Sequence, residues 1–147
     1  MQNLHDLDQP DEWCEVAEYS PNGTYLAVGS HDTDLYIYKT EDYSLVGKAN
    51  SHKATITCLD WSMDEAHIKS SCNGYEVLYF DISGEGITHD PSGRSNSVGY
   101  DWATGHTKFG WLVDGIFPRG TDGSHVNGVD FNEDKSLITV ADDYGLV

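Results

Sequence analysis

The sequence predicts an all-β fold of β-propeller blades, because one strand-rich pattern occurs in it three times. The segment from Tyr19 to Gly23 returns further along the chain as Trp61 to Glu65, and the acidic residue before it, Glu18, returns as Asp60. In a third copy the same position is held by Phe131 to Lys135, after a longer interval than the one between the first two. A period of roughly 40 to 45 residues made of short strands is typical of propeller blades.

The first copy reads as four strands separated by turn residues. A strand starting at Trp13 places Cys14 and Val16 on one face, and Pro21-Asn22-Gly23 ends it in a turn. Aromatic and β-branched residues between turn signals favour antiparallel sheet over helix. The strands predicted after that turn are 25–29, 35–38 and 44–48.

The second copy repeats this plan with predicted strands at 56–61, 68–71 and 77–80. Residues 83–97 are rich in Gly, Ser and Pro and predict a link. Strand-like stretches at 99–104 and 109–113 follow, then a Gly-Pro loop at 115–123 and the third copy from Val126.

These observations divide the chain into a polar segment, 1–12, and propeller sequence, 13–147, with blades of about four strands each at 13–50, 51–82 and 98–147. A propeller closes with roughly four to eight blades. We therefore expect about three blades of a larger propeller, whose other blades come from a longer chain or from another chain.

The charge balance excludes two classes of partner. The sequence has 25 acidic and 8 basic residues, for a formal net charge of −17. Nucleic acid and anionic membrane surfaces repel such a chain. Because segment 1–12 is polar and no apolar run reaches the length of a membrane span, we expect a cytoplasmic protein.

No pattern of catalytic or metal-binding residues is evident. Cys14, Cys58 and Cys72 lack CxxC spacing, which argues against a zinc site or a disulfide framework. No Ser or Cys lies in a nucleophile elbow, and no His and Glu spacing matches a metalloenzyme. We expect no catalytic residue, no cofactor and no metal.

One segment begins like a calcium-binding loop. Asp130, Asn132 and Asp134 fit D-x-N-x-D, but such a loop needs Gly at its sixth position and Glu at its twelfth. Lys135 and Ala141 occupy those positions here. The pattern favours a structural turn.

Several residues resemble those of a WD repeat, in which a His, a Ser or Thr, a turn Asp and a Trp form a hydrogen-bonded tetrad. The matching structural positions are Asp32, His52, Trp61, Ser70, Phe80 and Asp81. The tetrad is incomplete in each blade, since Gly74 replaces the turn Asp of the second blade and Pro10 replaces the His of the first. These are divergent repeats.

Longer stretches resemble, in the same order, the last blades of the echinoderm microtubule-associated-protein-like family. The matching stretches are EYSPNGTYLAVGSHDTDLYIY, ITCLDWSMDEAHIKSSCNGYEVLYFDI, YDWAT, GIFPRGTDGSHVNGV and ITVADDYGLV. The resemblance implies the second, atypical propeller of a protein with tandem WD-repeat propellers that associates with microtubules and binds tubulin.

Trp111, Phe117 and Arg119 form the candidate partner-binding cluster. Aromatic and Arg side chains on a loop have the composition of an interaction hot spot. The alternative is a loop that folds back and fills the gap between blades.

The function expected from the resemblance is that of a non-enzymatic, cytoskeletal scaffold that presents its propeller surface to tubulin, microtubules or microtubule-associated proteins. Two alternatives remain open. One is a general WD-repeat interaction platform not tied to the cytoskeleton. The other is a propeller enzyme with a metal, which requires inward-facing carboxylates at the central channel.

Overall fold

The computed structural model describes residues 5–110, 113–117 and 125–145. The first four strands form one antiparallel sheet in chain order, with strand-to-strand pairing throughout. The strands are β1 Cys14–Tyr19, β2 Tyr25–Ser30, β3 Asp34–Lys39 and β4 Leu45–Asn50. All four lie within two residues of their predicted positions.

The next four strands form a second sheet with the same order and direction. They are β5 Ile56–Trp61, β6 His67–Cys72, β7 Val77–Asp81 and β8 Thr88–His89. The position of β5 is as predicted. The strand β8 lies inside the segment 83–97 that was predicted to be a link. The sequence did not indicate this strand, because its two residues are exposed and the residues on both sides are rich in Gly and Ser.

The chain leaves the second sheet through a short helix, α1 (Gly93–Asn96), and a 3₁₀ turn, Ser97–Gly99. Gly93 is needed because a Cβ there would lie 2.2 Å from Tyr79 Cβ. The predicted strand at 99–104 is wrong, since only Trp102 makes a β-bridge, to Ser62. In the described ranges, no helix has the length and apolarity to cross a membrane.

The third copy forms a two-stranded antiparallel sheet within the described residues. Its strands are β9 Val126–Phe131 and β10 Ile138–Asp142. The blade boundaries at 13–50, 51–82 and 98–147 remain a prediction, and within the described residues the third blade shows two strands, β9 and β10, of the four expected.

A β-bulge recurs at the same place in all three copies. The register between the first two strands shifts between Cys14 and Val16, and again between Ile56 and Cys58. In the third copy it shifts opposite Asn127, the residue that corresponds to Thr57 of the second copy. A bulge bends its strand and increases its twist. The repeat therefore encodes strand curvature as well as strand position.

The turn after each first strand also recurs. It contains a left-handed residue at Gly23 (φ 75°), Glu65 (φ 59°) and Lys135 (φ 57°), which occupy equal positions in the three copies. Only glycine adopts this conformation without steric cost. The second and third copies have non-glycine residues in this conformation. In the second copy the Glu65 carboxylate also accepts a hydrogen bond from Asn22 N of the first blade (2.8 Å).

One hydrophobic core joins the two large sheets. Its members are apolar side chains with at most 9% exposure: Ala27, Leu35, Ile37, Ala49, Ile56, Leu59, Trp61, Ile68, Phe80 and Ile82. Trp61 is fully buried, stacks on Tyr25 at 6.0 Å between ring centroids and donates from Nε1 to Glu18 O (3.2 Å). Packing between blades, in addition to packing within them, therefore stabilises the fold.

Substitution of Gly29 tests how closely the two sheets approach each other. A Cβ at Gly29 would lie 2.6 Å from Ile56 Cγ2 and 2.8 Å from Val16 Cγ1. We expect Gly29→Ala to lower the free energy of unfolding by about 1–3 kcal/mol through overpacking. Gly84→Ala is the matched control, because a Cβ there meets no atom within 4 Å. Equal denaturation midpoints for the two variants would contradict this assignment of the contact.

Candidate interaction site

A buried carboxylate on β5, Asp60, organises the segment that follows the second sheet. It is fully buried and accepts hydrogen bonds from Thr104 Oγ1 (2.8 Å) and His106 N (2.7 Å). It also accepts from Thr107 N (2.9 Å) and Thr107 Oγ1 (2.5 Å). Hydrogen bonds to an ionised acceptor are stronger than neutral ones. Asp60 therefore fixes residues 104–107 against the blade.

Lys69 balances the charge of Asp60. The two residues face each other across β5 and β6, and Lys69 Nζ lies 3.4 Å from Asp60 Oδ2. Nζ also lies 4.4 Å from the ring centroid of Trp102, within cation–π range. Burial lowers the pKa of Lys69, while the neighbouring Asp60 carboxylate acts in the opposite direction.

Glu18 holds the same segment from the first blade. Thr104 Oγ1 lies 2.9 Å from Glu18 Oε1 as well as 2.8 Å from Asp60 Oδ1, so the acids of two blades share its single proton. Glu18 Oε2 lies 3.7 Å from His106 Nδ1, and the pKa of His106 is raised, chiefly by this contact with the Glu18 carboxylate and further by the charges of Asp60 and Asp130. Glu18, Asp60 and Asp130 occupy equal positions in the three copies.

Backbone hydrogen bonds place the preceding residues along the free edge of β5. Met63 N donates to Asp101 O (2.7 Å), and Ala103 N donates to Trp61 O (2.8 Å). The YDWAT motif thus forms a short, bridge-paired addition to the second sheet. We call residues 100–107 the docked segment.

An open groove lies beside the docked segment, with a volume of about 290 Å³. We call it the aromatic groove; it is lined by Lys69, Tyr79, Ser97, Val98, Tyr100, Trp102 and Phe109. Trp102 lies 6.0 Å from Tyr100 and 6.3 Å from Tyr79 between ring centroids. Val98 is 65% exposed at its edge. A concave surface with aromatic walls and one central cation suits an apolar or mixed side chain of a partner.

The residues predicted at WD-type positions lie away from this groove or beneath it. His52 Nε2 lies 2.6 Å from Ser70 Oγ, and burial lowers the pKa of the His52 imidazole to about 4. Asp32 accepts hydrogen bonds from Tyr36 Oη (2.8 Å) and Asp34 N (3.0 Å) in the β2–β3 turn. Each contact joins parts of one blade.

The other predicted positions also make local contacts. Trp61 and Phe80 are fully buried in the core. Asp81 accepts a hydrogen bond from Ser83 N (2.7 Å) in the turn after β7. In the calcium-like turn, Asn132 Oδ1 accepts from Leu137 N (2.8 Å) and Asp134 Oδ1 from Ser136 N (3.0 Å).

The predicted partner-binding cluster is only partly within the described residues. Phe117 is described and is partly buried after a turn. Trp111 and Arg119 lie outside the described residues. The assignment of these three residues to partner binding therefore stays a prediction.

Sequence reasoning did not find the roles of Asp60, Lys69 and Trp102. The available signal was the recurrence of an acid, Glu18 and then Asp60, inside otherwise apolar strands. What the sequence did not indicate was the partner of that acid, which lies far along the chain at residues 104–107.

Removing the Asp60 carboxylate tests whether it holds the docked segment. We expect Asp60→Ala to lower the free energy of unfolding by about 3–5 kcal/mol, because it leaves Lys69 as an uncompensated buried charge. Chemical denaturation measures the loss, and amide hydrogen exchange at Ala103 should rise. Glu133→Ala, at an exposed acid, is the control and should change neither quantity.

Comparison with known proteins identifies the family. The whole chain, residues 1–147, matches the family described as "Echinoderm microtubule-associated protein second beta-propeller". Over 141 residues it is 51% identical to the ciliary WD repeat-containing protein ctxp80 of Euplotoides octocarinatus, covering 96% of this chain and 19% of that protein. It is 40% identical over 138 residues to echinoderm microtubule-associated protein-like 4 of Mus musculus, covering 91% and 14%.

The chain thus spans between 14% and 19% of the length of these curated relatives. The match to a propeller family agrees with the antiparallel sheets, their recurring bulges and their common core. The family resemblance drawn from YDWAT and the neighbouring motifs is confirmed. The chain belongs to the echinoderm microtubule-associated protein family, and its WD-repeat sheets are those of the family's second β-propeller.

Proposed function

We propose that this chain is a non-enzymatic, cytoskeletal scaffold whose aromatic groove contacts tubulin or a microtubule-associated partner in the cytoplasm. The observation that carries the proposal is the docked segment. Its YDWAT motif belongs to the stretch by which the chain resembles its family, and it forms one wall of an open groove. Family membership supports the partner class, and the groove supplies a surface for it.

The charge of the chain limits how such contact can occur. At −17 the chain is repelled by the acidic surface of the microtubule lattice. Binding through the groove must therefore depend on local shape and apolar contact. The groove has the components for this, namely four aromatic side chains around the buried Lys69.

An enzyme built on clustered acids is the competing function. Glu18 and Asp60 do face a common region, as that hypothesis requires. Their oxygens, however, accept hydrogen bonds from Thr104, His106 and Thr107 of the same chain. Carboxylates used in this way hold a segment in place, which favours the scaffold.

The groove is tested by an exposed substitution at its edge. We expect Val98→Asp to weaken binding of soluble αβ-tubulin, followed by NMR or thermophoresis, by roughly thirtyfold, the effect of about 2 kcal/mol at a hot spot. Leu137→Asp adds the same charge at a site of similar exposure, 68% against 65%. It should leave binding and the melting temperature unchanged.

Equal binding by both variants, or no binding to tubulin by the unsubstituted chain, would contradict the tubulin proposal. Binding of the groove to unrelated proteins with no cytoskeletal role would instead favour the general interaction platform. The melting temperature of Val98→Asp separates loss of binding from loss of folding.

Lattice attachment is a separate expectation. We expect the 147-residue chain by itself not to co-sediment with microtubules at physiological salt, since its net charge opposes adhesion to an acidic surface. A pelleting assay over a salt series measures this. Tight, salt-sensitive pelleting would show that the electrostatic argument is wrong.

A further inference from the structure

Three potential metal ligands meet at one end of the second blade, away from the aromatic groove. A ring nitrogen of His52, the Sγ of Cys72 and a carboxylate oxygen of Glu76 lie within 4.8 Å of one another. His52 comes from the β4–β5 connection, and Cys72 and Glu76 flank the β6–β7 turn. Distant parts of the chain thus supply one cluster.

His52 has an unused, buried ring nitrogen. The side chain is only 5% exposed, its Nε2 is within hydrogen-bond distance of Ser70 Oγ, and its Nδ1 has no hydrogen-bond partner. A buried polar atom without a partner costs about 1–3 kcal/mol. In the neutral tautomer whose Nε2–H donates to Ser70, the Nδ1 lone pair is free to bind a cation.

The other two groups present a sulfur and an oxygen close together. Cys72 is 1% exposed, and its Sγ lies 3.9 Å from Glu76 Oε2. Lys53 Nζ holds the other carboxylate oxygen at 3.1 Å. Gly74 has no side chain beside the thiol, where a Cβ would be in van der Waals contact with Sγ at 3.4 Å.

We propose that His52 Nδ1, Cys72 Sγ and the Glu76 carboxylate bind one Zn²⁺ ion, with a solvent molecule as fourth ligand. Zn²⁺ accepts mixed nitrogen, sulfur and oxygen ligands in tetrahedral geometry, whereas Ca²⁺ and Mg²⁺ require oxygen. Metal–ligand distances of about 2.0–2.3 Å require the three side chains to draw closer than they now stand. The Cys72 thiol releases one proton to solvent on binding.

Such an ion would cross-link two parts of the blade that no covalent bond joins. It would connect the β4–β5 connection, through His52, to the β6–β7 turn, through Cys72 and Glu76. It would also satisfy His52 Nδ1, which has no hydrogen-bond partner among the residues that the structure describes. Because the ion binds the folded chain, it raises the apparent stability by mass action.

The test is metal binding by the chelator-treated chain. We expect one equivalent of Zn²⁺ by calorimetry in excess Mg²⁺, a rise in melting temperature, and a thiolate-to-metal charge-transfer band when Co²⁺ replaces Zn²⁺. Cys72→Ser should abolish that band. Cys14→Ser, at an exposed thiol, and Cys58→Ser, at a buried one, are controls that should retain it.

Glu76→Gln covers the case in which Cys72→Ser does not fold. Glu76 is partly exposed, so this variant should remain folded, and its Zn²⁺ affinity should fall by more than the roughly 10- to 100-fold that loss of a hydrogen-bond partner of a metal ligand costs. Absence of a charge-transfer band, or equal Zn²⁺ affinity in the unsubstituted chain and Glu76→Gln, would overturn the proposal. A Zn²⁺-dependent rise in melting temperature that Cys72→Ser leaves unchanged would likewise overturn it.

Discussion

The placement of the docked segment after the second sheet depends on one buried carboxylate. Asp60 is fully enclosed, so its charge has no water to stabilise it and must be balanced within the protein. Lys69 supplies the opposite charge, and residues 104–107 supply hydrogen bonds to both oxygens. Because an unpaired carboxylate in this position would be so unfavourable, the docked segment has one stable location. The aromatic groove exists as a consequence, since its Trp102 wall belongs to that segment and its Lys69 is the counter-ion of Asp60.

The two large sheets form one rigid platform because apolar side chains from both of them pack into a single core. Trp61 packs on Tyr25 of the neighbouring blade, and Gly29 allows Ile56 to approach its backbone. Thr104 adds a polar connection, because its hydroxyl lies within hydrogen-bond distance of Glu18 of the first blade and of Asp60 of the second. Apolar packing and shared hydrogen bonds thus restrict the same inter-blade angle. A rigid platform with loops and grooves at its edges is suited to recognition by shape, which is the mode a strongly acidic chain requires with an acidic partner.

The ends of the second blade differ in how their polar groups are satisfied. At the docked segment, the described polar side chains around Asp60 are paired with one another. Near the β6–β7 turn, His52 retains an unpartnered Nδ1 beside Cys72 and Glu76. In the second blade Gly74 stands at the position that Asp32 has in the first, while His52 and Ser70 lie within hydrogen-bond distance of each other. Because the second blade has no acid at position 74, another group can act as the partner of His52 Nδ1.

The sequence by itself determined the strands, their turns and the family. Strand positions follow from apolar alternation bounded by turn residues, which are local signals, so β5 was predicted at its observed position and β1 to β4 within two residues of theirs. Strand prediction failed at β8, which has two residues, and at 99–104, which makes a single β-bridge, because pairings this short show no alternation of apolar and polar residues. Only the tertiary structure decided which side chains meet. The contacts of Asp60 with Thr104 to Thr107, of Lys69 with Trp102, and of His52 with Cys72 and Glu76 bring together residues from different strands and connections. Spacing along the chain does not encode such contacts; they arise from the packing of the blades and the need to satisfy buried charge.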